Sequence, residues 1–324
     1  MKILFLGYTK NNSGPSNVNK GITSNLTNEY WTIPYENKWI SWGVSILKLF
    51  FCDVLVVSGL SRHGALLTKL AKKINKKAIY IMHGCYTAEM ELNEETPSAK
   101  ETEYERCLLE LSDLILPVSK RYMLWLIERY PQYSDKMDYL YNGVEENKTS
   151  YEGVERKKGT VIAAGGDRKL KNNIVVAQAM KELDSKAKLQ VYGYIHNPDN
   201  LPKCDNVKFM GLVSQKEFYE QMASTDVFVL NSLLESFGLS AIDALNCGCS
   251  VLISKYAGVV DILELKDSDI IFDPMDKNEI ASKVKYLIEH PNNERLVARI
   301  DYDNLSYKAE IERLTHFCTV LLKK

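Results

Sequence analysis

Short apolar runs bounded by glycine or polar turns recur along the chain, and stretches with apolar residues at helical spacing lie between them. Uninterrupted apolar runs suit strands buried on both faces, as in parallel sheets. In the first half they predict strands at Lys2–Leu6, Val54–Val57, Ala78–Met82 and Leu114–Pro117. Helical patterns cover Lys20–Thr27, Ser41–Phe50, Ala65–Asn75, Glu101–Leu111 and Arg121–Glu128. Around Asp138–Asn147 a short strand is expected to end in Tyr-Asn-Gly-Val, and the chain stays polar through Lys158, as an interdomain linker would. A second series follows at Gly159–Ala164, Leu189–Tyr192, Val207–Phe209, Val227–Leu230, Cys249–Ile253 and Ile270–Phe272. Strand–helix alternation in both halves predicts an α/β protein of two Rossmann-like domains, residues 1–150 and 151–304. The last segment, Leu305–Leu322, is helical in pattern and precedes no strand.

The most informative stretch is 229–253, VLNSLLESFGLSAIDALNCGCSVLI. An apolar strand runs into a turn carrying Glu235, Phe237-Gly238 opens a helix, and a small-residue exit leads to the next strand. The free N–H groups and positive dipole end of a helix start attract phosphate. Glycine at that entry lets a ligand approach the backbone. From Gly238 to Asp243 the helix climbs about 8 Å. A pyrophosphate at the helix start would thus lie between Glu235 and Asp243, the order of sugar, diphosphate and ribose in a nucleotide sugar. The plain alternative is a capping acid and a solvent-facing Asp on an ordinary helix.

This stretch resembles the signature of retaining glycosyltransferases of the family-4 type, whose fold is GT-B: two Rossmann-like domains facing a central cleft. The family's pattern is an acid, then Phe-Gly, then a second acid eight positions after the first; Glu235, Phe237 and Gly238 match, and Asp243 stands where Glu is usual. The resemblance implies that Glu235 contacts the donor sugar, that the amides around Phe237, Gly238 and Leu239 hold the diphosphate, and that Asp243 binds the ribose. An Asp still accepts two hydrogen bonds from a diol. It also implies that the helix of residues 305–324 crosses back to the first domain.

After the first strand of the second half comes Gly165-Gly166-Asp167-Arg168-Lys169-Leu170-Lys171-Asn172-Asn173. Cations beside a helix start suit a diphosphate. The family carries an Arg and a Lys here; Arg168 and Lys171 match with a shorter gap, and Lys169 is a substitute, a basic solvated turn being the other reading. His83-Gly84 follows a first-half strand, and the family often has a histidine there, near sugar and acceptor. The turn Asn12–Asn17 corresponds to the family's glycine-rich loop with only Gly14 present; Ser13, Gly14 and Ser16 would offer polar groups to a phosphate or acceptor.

The resemblance implies transfer of a hexose-type sugar with retention, from a nucleoside diphosphate sugar to a saccharide or lipid-linked acceptor, without metal or other cofactor, in bacterial surface polysaccharide synthesis. Asp301-Tyr302-Asp303 lies beside the terminal helix, far from the motif, and is given no metal. Open alternatives are a nucleotide-sugar epimerase or hydrolase of the same fold and a non-catalytic nucleotide-sugar binder. A dehydrogenase is weaker, because no Gly-x-Gly-x-x-Gly follows the first strand.

Composition adds limits. The net charge of the 324 residues is -1, which gives no global field for nucleic acid. Seven scattered cysteines without CxxC spacing read as reduced thiols, and with no signal peptide in Met1–Gly7 they predict a cytoplasmic protein. The apolar stretch Trp39–Val57 is too polar for a membrane span. Arg62–Lys77 reads as a lysine-rich helix with Trp39, Trp42, Phe50 and Phe51 upstream, either a solvated surface or a rest for the protein on the inner face of an anionic membrane.

Overall fold

The computed structural model describes residues 1–10, 14–33, 38–145, 154–183 and 187–323. The chain forms two compact units: Met1–Glu91, Glu95–Glu145 and Asp301–Lys324 make the first, and Leu92–Glu94 with Glu146–Ile300 the second.

The first unit runs β1 (Ile3–Gly7), α1 (Gly14–Asn25), β2 (Tyr30–Trp31), α2 (Lys38–Phe51), β3 (Val54–Ser58), α3 (Arg62–Lys73), β4 (Lys77–Met82), α4 (Tyr86–Leu92), α5 (Ala99–Leu111), β5 (Leu114–Pro117) and α6 (Lys120–Arg129). Its strands form one sheet in the order β2-β1-β3-β4-β5, every pairing parallel. Val54–Val57 and Ile79–Met82 are wholly buried, which is why they read as unbroken apolar runs. The strand expected within Asp138–Asn147 does not form. Asp138 and Leu140 donate to the carbonyls of Ile115 and Pro117, but only Ile115 and Met137 pair as a bridge. Pro117 has no N–H to return, so the ladder stops.

The second unit runs β6 (Thr160–Ala164), α7 (Asn173–Ala179), β7 (Lys188–Tyr192), β8 (Val207–Gly211), α8 (Gln215–Ala223), β9 (Val227–Leu230), α9 (Leu239–Asn246), β10 (Ser250–Ser254), β11 (Ile270–Ile271), α10 (Lys277–Glu289) and α11 (Asn293–Val297). The order is β11-β10-β9-β6-β7-β8, again all parallel. Val161, Ala163, Leu189, Val191, Val227 and Val229 form its core with Val176, Ile280 and Val284 of the covering helices.

Each sheet has a place where the chain leaves in opposite directions, and ligands of open α/β sheets bind there, beyond the carboxyl ends of the strands. In the first unit it lies between β1 and β3, in the second between β6 and β9.

The chain then returns to the first unit through α12 (Tyr302–Leu305) and α13 (Tyr307–Lys323). Tyr30 bonds Thr315 through their hydroxyls at 2.8 Å, and the Val144 N–H donates to Leu305 at 2.7 Å. The ring of Tyr307 lies on Gly21 and Gly143, where a Cβ would come within 2.1 and 2.3 Å of it. Glu310 is fully buried and accepts the Gly143 N–H at 2.7 Å. Burial pushes its carboxyl up to about 8, against the opposing pull of Gly143 and Arg313.

Candidate functional site

In the second unit, β6 and β9 are neighbours, so the loops leaving their carboxyl ends meet. Gly165 has φ +104, and a Cβ there would lie 2.5 Å from Cγ of Lys171. Only glycine lets the lysine stem cross the strand end. The Lys171 ammonium pairs with the carboxylate of Glu235, and Ser232 donates to the same oxygen at 3.2 Å. The side chains of Lys171 and Glu235 are only 18% and 15% exposed. A half-buried pair adds little net stability after desolvation, so its presence points to use rather than to stability. The Glu235 backbone is held on both sides: its N–H donates to Tyr256 at 3.2 Å and its carbonyl accepts from Gly258 at 3.0 Å.

Two residues on, the ring of Phe237 is buried in the core, and its carbonyl accepts the Val259 N–H at 2.6 Å. Phe237 therefore has only its backbone to offer a ligand. Gly238 precedes α9 with φ +104, a conformation costly for any side chain. Gly238, as the N-cap, has no side chain with which to cap the helix, and the first turn holds no acid. A helix start left this way offers its N–H groups to an anion. Arg168 lies half-buried in the adjacent loop, its Nε directed to the Gly165 carbonyl at 3.4 Å. Lys169 pairs instead with Glu94.

Asp243 lies further along α9, half-buried, its carboxyl raised to about 6 by burial against a hydrogen bond from the Tyr219 hydroxyl. Tyr219, on α8, has its own ionisation pushed upward by burial and by that carboxylate. Asp167 is buried and accepts the N–H groups of His196 and Asn197 at 2.9 and 2.7 Å and the His196 ring at 2.8 Å. Burial pushes its carboxyl up, but these donors outweigh burial and hold it below its ordinary value. Asp167 thereby ties the loop after β6 to the loop after β7.

In the first unit, His83 follows β4 directly and is buried, which lowers its basicity to about 4. At neutral pH the ring is uncharged. Its Nε2 lies 2.8 Å from Oγ of Ser58, the last residue of β3, and Ser58 donates its one proton to Oδ1 of Asn19 at 2.7 Å. The hydroxyl must therefore accept from His83, which fixes the proton on Nε2 and leaves Nδ1 as an acceptor. Nδ2 of Asn19 completes the chain by donating to the Tyr8 carbonyl at 3.1 Å.

The structure thus brings together Lys171, Glu235 and Gly238, with Arg168 and Leu239 in the flanking loop and first helical turn. His83 belongs to the first unit. Gly14 and Ser16 lie in the first turn of α1 rather than in a loop, because the helix starts earlier than its apolar pattern suggests; Ser13 lies outside the described residues. Glu91 pairs with Arg129. Asn19, Ser58, Asp167, Tyr219 and Ser232 were missed as partners, since each meets its neighbour only through the tertiary fold. A second Asp-x-Asp, Asp267-Ser268-Asp269, stands immediately before β11. Asp269 is buried and bound to Asn292 and Arg295, while Asp301 caps α12. Among the described residues no three His, Cys, Asp or Glu side chains cluster closely enough to hold a metal ion.

Two doubly wound units, with the last helix packed on the first, are the GT-B fold. The structure of HepE from Anabaena in complex with UDP matches with a TM-score of 0.72 at 14% identity, covering 99% of this chain and 100% of that one, a likeness of fold. Residues 145–304 match the family described as glycosyl transferases group 1, so this segment is similar to that family. Among curated relatives, the N-acetylgalactosamine-N,N'-diacetylbacillosaminyl-diphospho-undecaprenol 4-alpha-N-acetylgalactosaminyltransferase of Campylobacter jejuni is 24% identical over 189 residues, 55% of this chain and 51% of its own length. The N-acetyl-alpha-D-glucosaminyl L-malate synthase of Bacillus anthracis is 24% identical over 172 residues, 50% of this chain and 44% of its own. The chain therefore spans about half the length of these relatives.

Proposed function

We propose that this protein is a retaining glycosyltransferase that moves a hexose-type sugar from a nucleoside diphosphate sugar to a saccharide or lipid-linked saccharide, in the building of a bacterial surface polysaccharide, without a metal. The observation that carries the reading is the Lys171–Glu235 pair beside the uncapped start of α9, at the switch point of the second sheet. Lys171, Arg168 and the amides at Gly238 and Leu239 receive the diphosphate, so positive charge stands where negative charge grows as the sugar leaves. Glu235 then turns from its lysine to the sugar hydroxyls, and Asp243 accepts from the ribose. The anomeric carbon–oxygen bond to phosphate breaks, the acceptor oxygen bonds on the same face, and its proton passes to the departing phosphate. His83, neutral with Nδ1 unprotonated, accepts from a sugar hydroxyl. Support for the donor class comes from HepE, solved in complexes with UDP and with UDP-glucose. Support for a lipid-linked acceptor comes from the Campylobacter relative, named for a diphospho-undecaprenol substrate.

Product analysis tests the reading. The protein is incubated with labelled nucleotide sugars, alone and with oligosaccharide or polyprenyl-diphosphate-saccharide acceptors. The label should move to an acceptor with its anomeric configuration kept. Free sugar or an epimerised donor as the main product without acceptor would replace the transferase by a hydrolase or epimerase. An inverted product would remove the retaining mechanism.

A further inference from the structure

The second helix is built inside out. The buried residues of α2 are two serines and one leucine, Ser41, Ser45 and Leu49, followed by Cys52 just beyond its end. Ser45 bonds Nε2 of His63 at 2.8 Å, and Trp42 packs on the His63 ring with centroids 4.1 Å apart. The outward residues are the large apolar ones: Trp39 is 85% exposed, Phe51 68%, Leu47 61%, Ile40 56% and Phe50 52%. A soluble surface helix shows the reverse arrangement. An apolar patch of this kind on an exposed helix marks a binding surface.

Charge around the patch is predominantly positive. Residues 1–88 carry eleven lysines and arginines against three carboxylates, Glu29, Glu36 and Asp53, on a chain with a net charge of -1. Helices α1, α2 and α3 contain no Asp or Glu. On α3, His63, Leu66, Leu70 and Lys73 share one face by their spacing, and His63 places that face against α2. Arg62 and Lys73 are exposed there, whereas Lys69 and Lys72 are engaged with Glu103 and Asp113. Lys76 donates to the Cys52 carbonyl just beyond the end of α2.

From this juxtaposition we infer that α2 is a membrane-docking helix, which lies in the plane of an anionic bilayer with Trp39, Leu47, Phe50 and Phe51 among the acyl chains. Arg62 and Lys73 then stand at the level of the head groups. A helix of this length, about 21 Å, presents one apolar side to the acyl boundary while flanking cations meet acidic lipid. A second copy fits less well. A two-fold dimer sets the same patch against itself and would bring its largely cationic rim against its own like charge. Among the described residues no helix is long and apolar enough to cross a membrane, so docking is at the surface. The inference stands apart from the donor assignment, which concerns the other unit.

Flotation of the full chain with vesicles tests it. The protein should float with vesicles of phosphatidylcholine and phosphatidylglycerol, stay down with phosphatidylcholine alone, and be released by salt at roughly 0.5 M, where surface charge is screened. The variant L47D/F50D/F51D should lose at least ~10-fold in vesicle affinity, because each acid would have to be carried into the acyl boundary. Its melting temperature and its thermal shift with nucleoside diphosphates should stay unchanged. Arg62→Glu with Lys73→Glu should weaken binding to the anionic vesicles only. Flotation of the triple variant equal to the wild type overturns the inference. So does a wild-type dimer in light scattering that fails to float and becomes monomeric in the triple variant.

Discussion

The two sheets end in opposite chemistry. At the switch point of the second unit the loops gather charge: Lys171 against Glu235, with Arg168 close by and an uncapped helix start. At that of the first unit they gather neutral groups in a relay from His83 through Ser58 and Asn19 to the Tyr8 carbonyl. A diphosphate is best met by charges already paired, because the protein's own carboxylate holds the lysine until the ligand replaces it. A sugar hydroxyl is best met by a neutral acceptor whose orientation and tautomer are fixed beforehand. On the proposed reading the same topology would serve two kinds of ligand, and what differs is the residue at each strand end.

The largest effects should come from breaking the charged pair. Glu235→Ala should reduce transfer by about 1,000-fold, as loss of a group aimed at the reacting sugar does. Its melting temperature should fall by several degrees, because the Lys171 ammonium is left without its partner. Glu235→Gln, which keeps a hydrogen-bond acceptor there, should lower transfer with a smaller loss of stability. Lys171→Met with Arg168→Met should weaken nucleoside diphosphate binding ~10- to 100-fold by calorimetry. Unchanged affinity would remove both residues from the phosphate site.

The relay is the sharper test of the first unit. Ser58→Ala takes away the acceptor that holds the proton on Nε2 of His83. Nitrogen NMR of labelled histidine should report a single Nε2-protonated ring in the wild type and a mixture in the variant, with transfer lowered roughly tenfold. A variant with an unchanged tautomer would show that the hydroxyl does not set it.

Asp243 gives a smaller, pH-dependent effect. Only its ionised form accepts two hydroxyls, and burial has raised its carboxyl to about 6. Nucleoside diphosphate affinity should therefore rise several-fold as pH climbs from 5 to 7 and level off above, a step absent in Asp243→Asn. Glu310 acts on stability alone. Its carboxyl stands at about 8 in the fold against 4.5 ordinarily, so the folded chain holds a proton that the unfolded chain has lost. Stability from this group is full below about 4.5 and declines as pH rises to about 8. Glu310→Gln, which stays neutral, should melt a few degrees above the wild type at pH 9 and alike at pH 5.

Much of this architecture is visible along the chain. Buried parallel strands read as apolar runs, and the predictions for Val227–Leu230 and Leu114–Pro117 agree residue for residue with the strands found. Lys171 and Glu235 each stand in a short loop beside a helix start, so local pattern marks both. What pattern misses is juxtaposition. Asn19, Ser58 and His83 lie far apart in sequence and meet because β1, β3 and β4 are consecutive in the sheet. Tyr219 reaches Asp243 only because α8 packs beside α9. The two-residue strand β2 is too short to stand out as a run. For α2 the helix is legible but not its orientation, since Ser41 and Ser45 resemble an outer face and are buried.

The measurement that bears most directly on the central claim is an amide NMR titration of the labelled protein with uridine, guanosine and adenosine diphosphates. Saturable shifts are expected for one of them, largest at Gly238 and Leu239 and accompanied by a change at the Lys171 ammonium. Shifts centred away from the start of α9, or none at millimolar nucleotide, would contradict that claim.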